Sequence, residues 1–198
     1  MTVDLNLWPT IAFASVMFAW FAFVAVFLLR KKPEAASESK RDRESVIGVA
    51  LQGLAYALVW SLHRHFFTPI FPVNEGLEII LAVLTIVIAF GSVWIVMSAV
   101  RTLGKEWSVT ARLVEGHRLA TAGPYRFIRH PIYTGMLGML VATGLAISHW
   151  ASLLIATIVF FAGTIIRMRV EERLLRGEFG QEFDDYREQV AALIPGIF

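Results

Sequence analysis

Apolar residues occur along this chain in long, nearly uninterrupted runs, and polar residues are concentrated between them. A helix needs about 20 consecutive apolar residues to cross the hydrocarbon core of a bilayer. Three runs, at about 8–29, 45–62 and 78–100, approach this length, and each predicts a membrane-spanning helix. Runs of this length and number argue for an integral membrane protein and against a soluble core.

A fourth apolar stretch, residues 134–166, is interrupted by polar residues at 148–150. The interruption predicts two shorter helices, about 131–148 and 150–167, which form a hairpin and return the chain to the side it came from. Each is near or below the usual span length, so we expect the hairpin to tilt or to penetrate incompletely. The charged segment 167–190 is helix-prone. The expected fold is an all-α integral membrane protein with five transmembrane helices, a cytoplasmic loop and a C-terminal helix.

Basic residues are distributed unevenly among the loops between the predicted spans. The loops 30–44 and 101–130 are rich in Lys and Arg, whereas 66–77 is poor in them. Loops rich in basic residues stay on the cytoplasmic side of a membrane. We therefore expect the N-terminus outside, five spans and a cytoplasmic C-terminus.

Composition narrows the function classes. The chain is 57% hydrophobic and has a mean hydropathy of +0.62, which fits a membrane protein. The formal net charge of +2 is too small to indicate nucleic-acid binding. The sequence contains no Cys, which excludes disulfides and thiolate metal ligands.

Two polar features of the apolar half are candidate ligand sites. Gln52 lies inside the second span, where a lone amide usually forms a hydrogen bond between helices; a ligand role is the alternative. His63 and His65 suggest a metal pair, but residues two apart on a helix do not share a face. No third ligand lies near them in sequence, so we predict no metal site.

Between the third span and the hairpin lies a cationic and aromatic segment. Pro131 fits the first turn of a helix, where its missing N–H costs nothing. The N-terminus of such a helix exposes N–H groups beside Arg129 and His130, which favours an anion. The alternative is a helix start whose basic residues face lipid phosphates.

The hairpin should bring its two polar ends together at one face of the membrane. His130 precedes it, and Arg167 and Glu171, which share a helix face at a spacing of four residues, follow it. The alternative is an ordinary surface ion pair between these two residues. For Glu172 we expect such a pair, with Arg176. Charges at the membrane edge mark a functional site by default.

These segments resemble a known family. The sequence Gly-Pro-Tyr-Arg-Phe-Ile-Arg-His-Pro-Ile-Tyr-Thr-Gly at 123–135 is followed by Arg-x-x-x-Glu-Glu at 167–172 and Phe-Gly-x-x-Phe-x-x-Tyr at 179–186. This combination resembles the isoprenylcysteine carboxyl methyltransferase family, whose wider group includes membrane phospholipid methyltransferases. The resemblance covers about residues 101–190.

Two upstream pieces, Leu-Gly-Lys-Glu-Trp-Ser at 103–108 and Gly-His-Arg-Leu at 116–119, are similar to the family's cofactor segment. The resemblance therefore divides the chain into two parts. Residues 1–100 would hold three transmembrane helices and their loops. Residues 101–198 would form the methyltransferase cofactor-binding region, with the hairpin and the C-terminal helix.

The resemblance implies a methyltransferase that uses S-adenosyl-L-methionine, bound on the cytoplasmic side, and a lipid-like or hydrophobic acceptor. The family's substrate-side arginine corresponds to Arg167, which we assign as the catalytic residue. Arg112 departs from the related eukaryotic enzymes, which have a neutral amide there. The implied cofactor-binding residues are Arg112, His117, Arg118, Leu119, Ala120, Tyr125, His130, Pro131, Ile132, Tyr133 and Glu171.

The chemistry of these side chains suits that cofactor. Glu171 could pair with one of its cationic groups, and the helix end at His130–Ile132 could hold its carboxylate through N–H groups. Tyr125 and Tyr133 could flank the adenine or the sulfonium. A carboxylate acceptor is already ionised and needs only a cation such as Arg167 to place it.

Three other functions stay open at this point. Methylation of a phospholipid amine would need a base, for which His130 and Glu172 are the nearby options. A sterol-reductase-like enzyme would use NADPH in a related membrane fold. The third alternative is a non-enzymatic membrane scaffold or transporter.

Overall fold

The structure is a computed structural model that describes residues 6–29, 43–104 and 119–196, apart from the side chains of residues 43 and 44. The regular secondary structure of these residues is helical, as predicted. It comprises a 3₁₀ helix at Gly123–Arg126 and the helices α1 (Leu7–Leu28), α2 (Arg43–Ser61), α3 (Glu75–Leu103), α4 (Pro131–Ile147), α5 (Trp150–Phe179) and α6 (Gln181–Gln189).

Three of these helices, α1, α3 and α5, are long and apolar enough to cross a membrane. The apolar parts of α2 and α4 are shorter, at Ser45–Ser61 and Pro131–Ile147. The prediction of a helical membrane protein is therefore confirmed.

Helix α5 is longer than predicted. We expected a helix that ended near Arg167, but α5 continues to Phe179 and includes the charged segment. Its sequence contains no proline, and it ends at Gly180, whose φ of 52° is a backbone conformation that favours glycine. The charged residues after Arg167 therefore extend from the apolar helix as one rigid element.

The central helix of the bundle is α4, which contacts α1, α2, α3 and α5. Small residues allow its close approach to α3: a side chain at Gly135 would lie 2.9 Å from the carbonyl oxygen of Ser92. On α3, Ser92 is buried at this contact. Gly91 is not part of it, since a Cβ there would meet nothing within 4 Å.

Helices α2 and α5 pack along each other on the other side of the bundle. Gln52 donates a hydrogen bond of 2.9 Å from Nε2 to Oγ1 of Thr164, and both residues are buried. The prediction that Gln52 links two helices is confirmed. This polar contact fixes how far one helix is shifted along the other.

In the His-Arg-His sequence after α2, the arginine, Arg64, binds the end of α4. The Arg64 guanidinium donates hydrogen bonds to the carbonyl oxygens of Leu145 at 2.8 Å, Ala146 at 2.9 Å and Ser148 at 2.6 Å. These carbonyls end α4 and have no partners within the helix. Arg64 thus caps the end of α4 that lies opposite to its polar N-terminus.

Candidate functional site

The N-terminus of α4 and the charged part of α5 meet at one end of the bundle. His130 precedes Pro131, the first residue of α4, and its side chain is 6% exposed. Its Nε2 lies 3.1 Å from Oε1 of Glu172, and its Nδ1 lies 3.5 Å from Oε2 of Glu171. The predicted convergence of His130 and Glu171 is confirmed.

Glu171 connects three side chains at this end. It accepts a hydrogen bond from the Tyr133 hydroxyl and, at 3.4 Å, one from Nη2 of Arg167. Glu171 and Arg167 are four residues apart on α5 and therefore share a face. Tyr133 is 5% exposed and Arg167 is 8% exposed. The site thus contains both charge signs and an aromatic ring, largely shielded from solvent.

The prediction for Glu172 is wrong. Its Oε1 lies 3.1 Å from Nη2 of Arg129, and its Oε2 lies 3.7 Å from Nε of Arg187 on α6. Arg176, the partner we expected, pairs instead with Asp184 at 2.9 Å. Neighbouring residues on a helix point about 100° apart. The carboxylates of Glu171 and Glu172 therefore flank the same imidazole from two sides, while Arg176 faces α6.

The two carboxylates set the protonation of His130. Burial alone would lower the pKa of this imidazole, but the hydrogen bonds and charges of Glu171 and Glu172 outweigh it and raise the pKa above its usual value. A protonated imidazole can donate from both ring nitrogens, one to each carboxylate. His130 is therefore favoured as a cation.

Residues after α6 cover the N-terminus of α4. The backbone N–H groups of Arg129 and His130 donate to the carbonyl oxygens of Ala191 at 2.8 Å and Ala192 at 3.0 Å. Thr134 Oγ1 donates to the Leu193 carbonyl at 2.7 Å. The expectation that the His130 N–H would face an anion is therefore wrong. Sequence reasoning missed this contact, since only the short apolar run Ala191–Leu193 hints at a buried segment.

The remaining predicted site residues that the structure describes lie in the segment before α4 or in its first turn. Tyr125 is buried in the 3₁₀ helix, and its carbonyl accepts a hydrogen bond of 2.7 Å from the Tyr186 hydroxyl. Burial, reinforced by the charge of Glu171, raises the pKa of Tyr125. Pro131 is buried, and partial burial is shared by Leu119, Ala120 and Ile132. The other predicted residues lie outside the described part of the chain: Arg112, His117 and Arg118.

Comparison with known proteins places this site in a family. The sequence model of the phospholipid methyltransferase family matches residues 77–182, more than half of the chain. The chain belongs to the phospholipid methyltransferase family. The matched range runs from the first turn of α3 into α6 and contains all of α4 and α5. The resemblance to membrane methyltransferases is therefore confirmed.

Several curated proteins match about half of the chain. A rice protein (Oryza sativa subsp. indica) named "Probable protein-S-isoprenylcysteine O-methyltransferase" is 34% identical over 101 residues, 50% of this chain and 53% of that protein. The protein-S-isoprenylcysteine O-methyltransferase of Schizosaccharomyces pombe is 30% identical over 102 residues, 50% of this chain and 43% of that protein. The chain spans about half the length of the curated relatives it matches.

A bacterial relative has a different name. Methanethiol S-methyltransferase 2 of Bradyrhizobium diazoefficiens is 33% identical over 85 residues, 43% of this chain and 32% of that protein. All of these relatives are named as methyltransferases. The names differ in the atom that receives the methyl group, which is oxygen in the first two and sulfur in the bacterial protein.

Proposed function

We propose that this protein is an integral membrane methyltransferase that transfers a methyl group from S-adenosyl-L-methionine to a carboxylate on a lipid-like acceptor. The observation that carries the proposal is the buried cluster of His130, Tyr133, Arg167 and Glu171 at one end of an apolar hairpin. The cluster lies entirely within the range matched by the family. Methyltransferase relatives favour this reaction over an NADPH-dependent reduction or a scaffold.

The side chains present fit this cofactor, which would supply a methyl group on a positively charged sulfur. Glu171 accepts hydrogen bonds from Tyr133 and Arg167, and an ionised carboxylate has about four acceptor positions. It can therefore accept a further donor such as an ammonium group. The buried Tyr125 and Tyr133 offer aromatic faces, which attract cations.

We propose the full cofactor set on the basis of the family resemblance and this fit. The hydrogen bond from the His130 N–H to Ala192 means that its main-chain group is occupied, so His130 would act through its side chain. The proposed set is Arg112, His117, Arg118, Leu119, Ala120, Tyr125, His130, Pro131, Ile132, Tyr133 and Glu171.

Arg167 is the proposed catalytic residue, and its role is to hold the acceptor carboxylate. An ionised carboxylate needs no base, so the enzyme's contribution is to position it for an in-line displacement. Contacts with Tyr133 and Glu171 hold the Arg167 guanidinium in one place at the inner end of the hairpin. Arginine suits this task because its fork of N–H donors matches carboxylate geometry.

The protonation of His130 argues against an amine acceptor. Amine methylation requires removal of a proton, and His130 and Glu172 are the candidate bases. The raised pKa of His130 favours the protonated ring, which has no free nitrogen to accept a proton. Glu172 is already engaged with Arg129 and His130.

We further propose five spans, with the N-terminus outside and the C-terminus in the cytoplasm. The 17 residues of α4 reach about 25 Å at roughly 1.5 Å per residue, slightly less than a bilayer core of about 30 Å. Residues 1–100 would then anchor the protein. Residues 101–198 would bind the cofactor and the acceptor at the cytoplasmic face.

Calorimetry on the purified protein in detergent tests the cofactor. We expect binding of S-adenosylhomocysteine and none of NADPH; the reverse result would contradict the proposal, and binding of neither would favour a scaffold.

The acceptor is tested by methyl transfer from labelled S-adenosyl-L-methionine. The acceptors compared would be a farnesylated N-acetylcysteine, phosphatidylethanolamine and methanethiol. We expect base-labile label, typical of a methyl ester, on the first acceptor. Label only on the amine or only on the thiol would overturn the carboxylate assignment.

A further inference from the structure

Helix α2 presents one buried face to α5. The buried residues of α2 recur at spacings of three and four, as expected for one side of a helix. They are Ser45, Gly48, Gln52, Ala55 and Val59. On α5 the facing residues include Gly163, Thr164 and Arg167, all of them buried. Arg167, the proposed catalytic residue, is therefore covered by α2, a helix that precedes the range matched by the family.

The backbones of the two helices are in direct contact at a pair of glycines. A Cβ atom on Gly48 would lie 2.8 Å from the carbonyl oxygen of Gly163. A Cβ atom on Gly163 would lie 2.7 Å from the carbonyl oxygen of Gly48. The hydrogen bond from Gln52 to Thr164, one turn further on, fixes the register of this contact.

The space left by the missing side chain of Gly48 is used by Arg167. A Cβ on Gly48 would lie 2.5 Å from Cγ of Arg167 and 3.4 Å from its Cδ. The Cγ atom is close to the root of the arginine side chain, so it cannot move aside without moving the guanidinium. The new Cβ atom cannot shift away from Arg167 either, because the carbonyl oxygen of Gly163 lies 2.8 Å from it. A residue larger than glycine must therefore displace either Arg167 or the whole of α2.

We propose that Gly48 is a positioning residue for Arg167. Gly48 has only a hydrogen atom in place of a side chain, which leaves room for the aliphatic part of Arg167 between α2 and α5. From there the guanidinium reaches Tyr133, whose ring centre is 5.2 Å from Cζ, and Glu171 at 3.4 Å. This inference rests on the acceptor-binding role of Arg167 in the proposed function. It makes α2 part of the acceptor site and not merely a membrane anchor.

The chain offers a matched control for Gly48→Ala. Gly53 lies on the same helix, is exposed, and a Cβ there would meet nothing within 4 Å. Gly53→Ala therefore makes the same chemical change without touching Arg167. A second control, Gly163→Ala, presses on the α2 backbone and on Leu51, but none of the three atoms nearest to its Cβ belongs to Arg167.

The experiment measures S-adenosylhomocysteine affinity, thermal stability, and kcat and KM for the carboxylate acceptor in all three variants. We expect Gly48→Ala to raise the acceptor KM or lower kcat by about tenfold or more while cofactor affinity stays within about twofold. Gly53→Ala should match the unsubstituted protein. Gly163→Ala should lose thermal stability but keep the acceptor KM. A role in helix packing alone would give the two buried variants the same kinetic defect, which would overturn the proposal.

If Gly48→Ala folds poorly, Gly48→Ala/Arg167→Ala separates its two close contacts. Truncation of the arginine removes Cγ but leaves the Gly163 carbonyl oxygen 2.8 Å from the new Cβ. The double variant should therefore give a higher yield of folded protein than Gly48→Ala; an equal or lower yield would overturn the proposal. Full activity of Gly48→Ala would overturn it while leaving the proposed function intact. No methyl transfer by the unsubstituted protein would refute both.

Discussion

The guanidinium carbon of Arg167 lies 5.2 Å from the centre of the Tyr133 ring, although the two residues belong to different helices. The Tyr133 hydroxyl and Arg167 both donate to Oε1 of Glu171. This triangle of a cation, an aromatic ring and a carboxylate joins α4 to α5 at the polar end of α4. The effect of a substitution at each of the three residues should therefore depend on the ligand proposed for that residue.

Glu171→Ala should abolish binding of S-adenosylhomocysteine, because it removes the proposed acceptor group for the cofactor's ammonium. Arg167→Ala should leave cofactor binding in place and lower turnover by about a hundredfold or more. Calorimetry and a methyl-transfer assay would measure the two effects. Glu178→Ala, an exposed site on the same helix, is the control. Equal loss of cofactor affinity in the two variants would contradict this division of roles.

The stability of the protein should fall as the pH rises through the pKa of His130. The folded-state pKa of His130 is raised above its ordinary value of about 6.5, so the protonated ring is stabilised by folding. This contribution to stability is fully present below the pKa that His130 has in the unfolded chain. It is lost as the pH rises through the higher pKa that His130 has in the folded protein. Thermal unfolding in detergent from about pH 5.5 upward would measure it.

His130→Gln provides the control for this pH dependence, because its amide is neutral throughout. We expect the difference in Tm between the two proteins to shrink with rising pH. A difference that stays constant over the whole range would show that folding does not raise the pKa of His130.

Arg129→Ala should destabilise the protein far more than Arg176→Ala. Arg129 is 11% exposed, pairs with Glu172, and donates to the Arg187 carbonyl at 2.9 Å. Its loss removes one of the ion-pair partners of a largely buried carboxylate and a donor to that carbonyl. Such a loss costs about 1–3 kcal/mol or more. Arg176 is 62% exposed, and surface pairs of this kind contribute about 0–1 kcal/mol. Equal shifts in Tm would contradict the assignment of Glu172 to the site.

Arg64→Ala should lower thermal stability without changing cofactor affinity. Arg64 caps the carbonyl groups of Leu145, Ala146 and Ser148, and each buried carbonyl left without a partner costs about 1–3 kcal/mol. Burial lowers the pKa of Arg64 to about 10, so the cap stays charged at neutral pH. His65→Ala, at an exposed neighbour, is the control. A selective loss of cofactor binding in Arg64→Ala would show that the two ends of α4 are coupled.

Much of the architecture was predictable because it depends on local sequence. Apolar runs predicted the helices, and the polar break around His149 predicted the boundary between α4 and α5. Once the chain turns back on itself there, His130 and Glu171 must lie at the same end, and the structure places them together. The end of α5 was predicted less well, since a charged segment can continue an apolar helix when no residue breaks it.

Only the tertiary structure decided the contacts that depend on how helices are rotated and shifted against each other. Glu172 belongs to the site because α6 and Arg129 approach that side of α5. Gly48 touches Arg167 because α2 and α5 meet at a particular register, although the two residues are 119 positions apart in the chain. The pattern of apolar residues identifies which residues are buried, but it does not determine which buried residues contact each other. The physical reason is that these contacts depend on the shapes of the side chains where two helices pack.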